Sequence, residues 1–316
     1  MTKIIYIGAD GFSAKILKEL LARRNLDIVA VATYPDKPGS RGHKLFPTPV
    51  KMVAVESNLP VVEVYDVHDR KVHSELASFS APLGVLVSFK IVPVEFLAVF
   101  PEGVINLHPS LLPDLRGAAP VQWAIMLGYK KSGLTTFVIS EKVDCGKILM
   151  QDSFAIGDDE TAGEVFEKIV SPGAELIEKS VAGYLSGKIV PREQMPDGEH
   201  RAPKILRKHR IINWEWSAQK IHNRIRGLSP KPGAISAFGK KMIKILRSKI
   251  PAQNFTADFK NPGEIVNVEK DEIIVSTGDG AIALIELQPE GRQKMTASEF
   301  ARGYVKGDGK KFHTLQ

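Results

Sequence analysis

Apolar residues occur along this 316-residue chain in short runs whose spacing switches repeatedly between the strand period and the helix period. The first run, KIIYIG at 3–8, is continuous and closed by Gly8 and Gly11, which predicts a short buried strand. From 13 to 24 the pattern changes: Ile16, Leu17, Leu20 and Leu21 fall on one helical face. DIVAVAT at 27–33 is a second β-branched run. Strand, helix and strand in so short a stretch form a βαβ unit, which favours parallel strands joined by right-handed crossovers.

The alternation continues beyond a loop rich in Pro, Gly and basic residues at 35–49. It predicts helices at 50–56 and 67–77 and strands at 60–64, 83–87, 103–105 and 135–140. A long helix is expected over 161–185, with Val165, Ile169, Leu176, Ile177 and Val181 as its apolar stripe and Pro172-Gly173 as a possible break. This is the pattern of an α/β fold, a Rossmann-like doubly wound parallel sheet, over residues 1–189. The periodicity then fails. Residues 190–206, which include PREQMPDGEHRAPK, read as a linker. Residues 207–316 resume with a helix near 217–226 and short β-like runs at 242–246, 263–268, 272–277 and 281–287. Close turns such as Gly278-Asp279-Gly280 separate these runs, which predicts a small OB-like β-barrel.

Composition narrows this picture. At 43% hydrophobic and 25% charged the chain is ordinary for a globular protein, which excludes a disordered or fibrous one. Its one Cys excludes a disulfide framework and a thiolate zinc cage, and fits a reducing compartment. No run approaches the length of a membrane span, and the apolar run near the N-terminus is too short for a signal-peptide core, so a cytoplasmic protein is expected. The net charge of +7 is unevenly spread. Residues 1–206 hold 23 Lys and Arg against 25 Asp and Glu, whereas residues 207–316 hold 20 against 11. A near-neutral body carrying a basic appendage points to a polyanionic partner.

Candidate chemistry concentrates in two segments. Gly8-Ala9-Asp10-Gly11 follows the first strand but lacks the G-x-G-x-x-G spacing, so it reads as a glycine turn and not as a dinucleotide site. The segment INLHPSLLPDLRGAAP follows a predicted strand, at the sheet end where open α/β folds bind ligands. Residues two apart on a strand share a face, so Asn106 and His108 project together. An amide donor beside an imidazole can stabilise an oxyanion and move a proton. VDCG at 143–146 adds Asp144, a carboxylate able to fix the imidazole tautomer or relay its proton. Cys145 is not needed as a nucleophile for such chemistry. Basic side chains cluster at Arg207, Lys208, His209 and Arg210, and again at Lys240, Lys241, Lys244, Arg247 and Lys249. A single strand face cannot carry all of the second group. Trp214 and Trp216 read as core residues and not as base-stacking platforms.

INLHPSLLPDLRGAAPVQWAI followed by VDCGKIL resembles the signature of folate-dependent formyltransferases. YPDKPGSRGHKLFPTPVK and NWEWSAQKIHNRIRGLSPKPGA resemble the N-terminal loop and the C-terminal-domain entry of the branch whose acceptor is a tRNA, so the likeness spans nearly the whole chain. It implies that Asn106, His108 and Asp144 are catalytic. Ser110, Leu111, Leu112 and Pro113 would contact the cosubstrate 10-formyltetrahydrofolate, and Phe89 and Ile91 would lie in the pterin-lining region. Arg41 and Lys44 fall in the loop that would meet the tRNA acceptor arm, while Arg207, Lys208, Lys240 and Lys244 would lie on the basic C-terminal surface. The implied reaction moves the formyl group to the α-amino group of methionyl initiator tRNA, for translation initiation. In it, protonated His108 and Asn106 stabilise the oxyanion and Asp144 assists the proton. No tightly bound cofactor, metal or membrane is implied, and a monomer is expected. Two alternatives remain: a formyltransferase with a small amine acceptor, such as a ribonucleotide or sugar nucleotide, and a nucleic-acid-binding protein whose Rossmann-like domain has lost activity. The chain departs from the family pattern twice. Ala9-Asp10 stands where Thr-Pro is common, and Ser88-Phe89 where Tyr-Gly is common; either could alter folate or acceptor contacts.

Overall fold

Strand β1 (Lys3–Gly8) is buried from Ile4 onward, as a strand covered on both sheet faces must be. It turns into helix α1 (Gly11–Arg23), whose start is fixed where the Asp10 side chain accepts the Ser13 backbone N–H at 2.9 Å. Gly8 is obligatory at this turn, because a Cβ there would lie 1.8 Å from Ser13 Oγ. This computed structural model describes residues 2–38, 45–195, 200–251, 261–305 and 311–315.

After α1 come β2 (Asp27–Thr33), the paired strands β3 (Lys37–Pro38) and β4 (Leu45–Phe46), α2 (Pro49–Glu56), β5 (Val61–Glu63) and α3 (Arg70–Ser78). They are followed by β6 (Leu83–Val87), α4 (Val94–Leu97), β7 (Val104–His108), α5 (Pro120–Met126), β8 (Lys131–Val138), β9 (Ile148–Ala155), α6 (Ala162–Lys168) and α7 (Val170–Leu185). Seven strands form one sheet in the order β5-β2-β1-β6-β7-β8-β9. The five from β5 to β7 pair in parallel, and β8 is antiparallel to β7. Chain order therefore reverses across β1, which creates a switch point at the carboxyl ends of β1 and β6. The antiparallel β8 departs from the all-parallel expectation. The connection from β7 carries only the seven-residue α5, and that helix packs on a later helix instead of returning the chain across the sheet.

The helix expected at 161–185 is two helices meeting at Ile169. Pro172 does not cause the break. It lies in the first turn of α7, where a backbone N–H has no intrahelical partner to lose. Gly173 lets α7 approach the sheet, since a Cβ there would lie 3.0 Å from Ile16 and Leu107 side-chain atoms.

The chain divides into two compact units: Met1–Gly117, Gly133–Phe154 and Phe166–Arg201 in the first, and Ala118–Ser132, Ala155–Val165 and Ala202–Gln316 in the second. The second unit holds α8 (Arg207–Arg210), α9 (Ala218–Leu228), β10 (Ala234–Phe238), β11 (Lys241–Lys249), β12 (Ile265–Val268), β13 (Ile273–Ser276), β14 (Ala281–Pro289), β15 (Met295–Thr296), α10 (Ala297–Tyr304) and β16 (Phe312–His313). Its antiparallel sheet runs β12-β13-β14-β11-β10-β16. The Phe312 N–H donates to the Gly263 carbonyl at 2.8 Å, and Glu264 bridges to Lys311, so the outer strands meet and the sheet curls into a barrel-like form. Ile221, Ile225 and Leu228 of α9 join Phe238, Phe300 and Phe312 in its core. Trp214 is buried there with its indole N–H on Ser236 Oγ at 3.0 Å, as the sequence suggests. Trp216 is only partly buried and lies against Lys220 and Arg224. An acidic stretch also belongs to this unit: Glu164 pairs with Arg247 at 2.9 Å, and Asp159 lies 3.3 Å from His222.

Candidate active site

β7 divides its side chains as the strand period requires. Leu107 faces α7, while Asn106 and His108 share the opposite face. β6 and β8 flank β7, placing Asn106 opposite Leu86 and Phe137. The Asn106 side chain is half-buried, and its amide makes no hydrogen bond among the described residues. It is an uncommitted donor at the carboxyl end of the strand.

His108 is buried, and its ring nitrogens face different partners. Nε2 lies 3.1 Å from the Leu115 carbonyl. A carbonyl only accepts, so Nε2 carries a proton. Nδ1 lies 3.9 Å from Asp144 Oδ1, too far for a direct hydrogen bond but close for a charge. Burial holds the imidazole below its ordinary pKa; the Asp144 carboxylate and the Leu115 carbonyl oppose that shift without overcoming it. Burial thus favours the neutral imidazole, and the Leu115 carbonyl places its proton on Nε2. The protonated His108 that the resemblance implies for the reaction is therefore disfavoured in the resting site, where a buried cation loses its hydration.

Leu115 and Asp144, the residues that face the two ring nitrogens, both have left-handed backbones, with φ of 59° and 53°. Asp tolerates this region, whereas Leu is strained in it. The Gly117 N–H donates to Asp144 Oδ2 at 2.9 Å, which leaves Oδ1 for His108.

The segment expected to meet folate is built as a braced loop. Ser110 is fully buried, and its hydroxyl donates to the Asp114 carbonyl at 2.6 Å, so it shapes the loop. Leu112 is buried with Phe137 and Ile148, its N–H donating to Thr135 Oγ1 and its carbonyl accepting from Gln151. Leu111 and Pro113 are half-exposed. Phe89 stacks on Tyr34 with ring centroids 4.4 Å apart, and Ile91 is 70% exposed, an apolar side chain left open to a ligand. The two departures from the family pattern meet here, since Ser88 is one of the groups that favour the charged Asp10 carboxyl. Burial raises the Asp10 pKa above its ordinary value, against the hydrogen bond from the Ser13 N–H and the opposing influence of Ser88 and Phe12. Each difference is visible in the sequence; their contact is not.

Of the basic residues, Arg41 and Lys44 lie outside the described residues. Arg207 and Lys208 are exposed on α8, and Lys240 is exposed where β10 turns into β11. Lys244 is half-buried, lining a shallow groove with Met242, Gln288 and Gly291. Arg247 and Lys249 are paired with Glu164 and Glu272. Sequence reasoning missed Gln194, which lies in the predicted linker and donates to the Asp144 and Gly146 carbonyls at 2.9 and 2.8 Å. Nothing in a polar, Pro-rich stretch signals such a role.

A neutral buried imidazole beside a carboxylate, with a free amide on the same strand face, is equipment for acyl transfer. The chain belongs to the formyl transferase family: the Formyl transferase profile matches residues 2–181, and the Formyl transferase C-terminal domain profile matches residues 204–305. Among curated relatives, the methionyl-tRNA formyltransferase of Heliobacterium modesticaldum is 36% identical over 98% of this chain and 99% of its own length. That of Bacillus cytotoxicus is 36% identical over 96% of each. Of solved structures, HypX from Aquifex aeolicus in complex with tetrahydrofolic acid superposes with a TM-score of 0.66 at 19% identity, over 96% of this chain and 47% of that one. WlaRD, a sugar 3N-formyl transferase, superposes with a TM-score of 0.65 at 18% identity, over 93% and 99% of the two chains.

Proposed function

We propose that this protein transfers the formyl group of 10-formyltetrahydrofolate to the α-amino group of methionyl initiator tRNA, as a cytoplasmic monomer serving translation initiation. The observation that carries this reading is the match, at 36% identity and across both parts of the chain, to relatives named methionyl-tRNA formyltransferase. The exposed Arg207, Lys208 and Lys240 of the basic C-terminal part suit a polyanion. No helix among the described residues is long and apolar enough to cross a membrane.

Folate brings the formyl group on N10. The half-exposed Leu111 and Pro113, Phe89 and the exposed Ile91 supply apolar surface suited to a flat heterocycle, and the buried Ser110 and Leu112 keep their loop rigid. The acceptor amine attacks in its neutral form. A C–N bond forms to the amine, the C–N10 bond breaks, and one proton passes from the amine to N10. Asn106 Nδ2–H donates to the developing oxyanion, a type of contact worth about 2.7–4 kcal/mol. His108, neutral at rest, takes the amine proton at Nδ1, and Asp144 stabilises the imidazolium while it lasts. The imidazolium exists only during transfer, when its charge opposes the oxyanion.

The test offers methionyl initiator tRNA, methionyl elongator tRNA and amino-sugar nucleotides separately with 10-formyltetrahydrofolate. Preferential formylation of the initiator supports the reading. Formylation of the sugar nucleotide alone would assign the protein to a small-acceptor activity.

A further inference from the structure

The segment read as a linker does structural work at the active site. Arg192 exchanges backbone hydrogen bonds with Ile148 at 2.7 and 2.8 Å. Two residues on, the half-buried Gln194 reaches the loop that carries Asp144. Its amide orientation follows from its partners. The Asp144 and Gly146 carbonyls only accept, so Nε2 faces them, and Arg116 only donates, so Oε1 takes Nε at 3.1 Å and Nη2 at 2.6 Å. The buried Arg116 also donates to the Met195 carbonyl at 3.2 Å. Further along, the His200 carbonyl accepts the Leu115 N–H at 2.8 Å, and the His200 N–H donates to Asp114 Oδ1 at 2.7 Å. The strap thus grips both left-handed residues that face His108, Asp144 through its carbonyl and Leu115 through its N–H.

We propose that Gln194 is a positioning residue for formyl transfer: by bridging the Asp144 and Gly146 carbonyls while held by Arg116, it fixes the backbone that aims the Asp144 carboxylate at His108. The proposal rests on the reading of Asp144 as the partner of His108 in proton transfer. Gln194 has no contact with the reacting atoms. It acts on kcat through Asp144 and leaves substrate binding unchanged.

The experiment measures single-turnover formyl transfer and both KM values for wild type, Gln194→Glu, Gln194→Ala, Asp144→Asn and the Gln194→Ala/Asp144→Asn double variant, with melting temperatures for each. Gln194→Glu keeps the size and the Arg116 contact but has no donor for the two carbonyls, so it isolates the bridge. The expected result is a loss of roughly tenfold or more in kcat for both Gln194 variants. Both KM values should stay within about threefold, and the second substitution should cost under about twofold in the Asp144→Asn background. Wild-type kcat in Gln194→Glu overturns the proposal, as does a Gln194→Ala loss that is undiminished without the Asp144 carboxylate. Wild-type kcat in Asp144→Asn overturns the underlying reading of Asp144 and the proposal with it. Impaired Asp144→Asn with intact Gln194→Glu overturns the proposal alone.

Discussion

The backbone N–H of Gly117 donates to Asp144 Oδ2 at 2.9 Å, so the loop that ends in the Leu115 carbonyl also orients the carboxylate on the far side of His108. Gly117 has φ of 131°, a conformation that side chains resist. Gly117→Ala should strain this turn by about 1–3 kcal/mol and displace Asp144. We expect kcat to fall by roughly tenfold to a hundredfold with folate affinity retained, read from single-turnover rates and equilibrium folate binding. Unchanged kcat would remove the Gly117 contact from the account.

Asn106 has no hydrogen bond to lose within the described residues, so its replacement separates catalysis from stability. Asn106→Ala should lower kcat by about 10²–10³-fold. Its melting temperature should stay within a degree or two of wild type, because no buried pair is broken. A large loss of stability with modest loss of rate would reverse the assignment.

Burial keeps His108 below its ordinary pKa, and the neutral form starts the reaction. His108 itself, followed by NMR titration of its ring in the free protein, should therefore protonate below the free-histidine value of about 6.5. The acid limb of kcat/KM, by contrast, also carries the acceptor amine. The Asp144 charge is one of the influences that raise the His108 pKa, so Asp144→Asn should move the His108 ring titration further down. Stability follows the same sign. Above about pH 6.5 His108 is neutral in folded and unfolded chains alike. Below it the unfolded chain takes up a proton that the folded site resists, so stability falls with pH until the folded imidazole also protonates. His222, buried beside Ser248, adds to this acid sensitivity, because burial lowers its pKa too. Denaturant titrations between pH 5 and 7 with His108→Gln and His222→Gln check each share.

Ion pairing separates the basic residues of the C-terminal part. Arg207, Lys208 and Lys240 are exposed, whereas Arg247 and Lys249 already face Glu164 and Glu272. Alanine at any of the first three should weaken tRNA binding and reduce the slope of log affinity against log salt by about 0.9 each. Alanine at Arg247 or Lys249 should change the slope less. Filter binding across a salt series distinguishes the two groups, and equal slopes would contradict the distinction.

Much of the sheet was legible because its strands are continuous apolar runs. LGVLV at 83–87 reads as a strand and forms one, and the turn at Gly8 marks the first crossover. That Asn106 and His108 share a face of β7 followed from the strand period alone. Elements whose signals are short or capped were missed. The seven-residue α5 begins with Pro120 at its first turn, and α10 is opened by a Thr296/Glu299 capping box, yet neither was expected. Nor could periodicity show that α5 and the acidic stretch at 155–165 group with the C-terminal barrel, since that depends on tertiary packing. The same limit hid Gln194. Its neighbours in sequence are polar and proline-rich, and its purpose exists only once the loop bearing Asp144 has folded against it.

Asn106, His108 and Asp144 are the residues we propose to carry formyl transfer to the amine of methionyl-tRNA. The deciding measurement is single-turnover formylation of methionyl initiator tRNA by the wild-type protein, with 10-formyltetrahydrofolate saturating. We expect rapid, folate-dependent formation of N-formylmethionyl-tRNA that collapses in His108→Ala. No transfer by wild type despite demonstrated binding of both folate and tRNA would contradict this proposal.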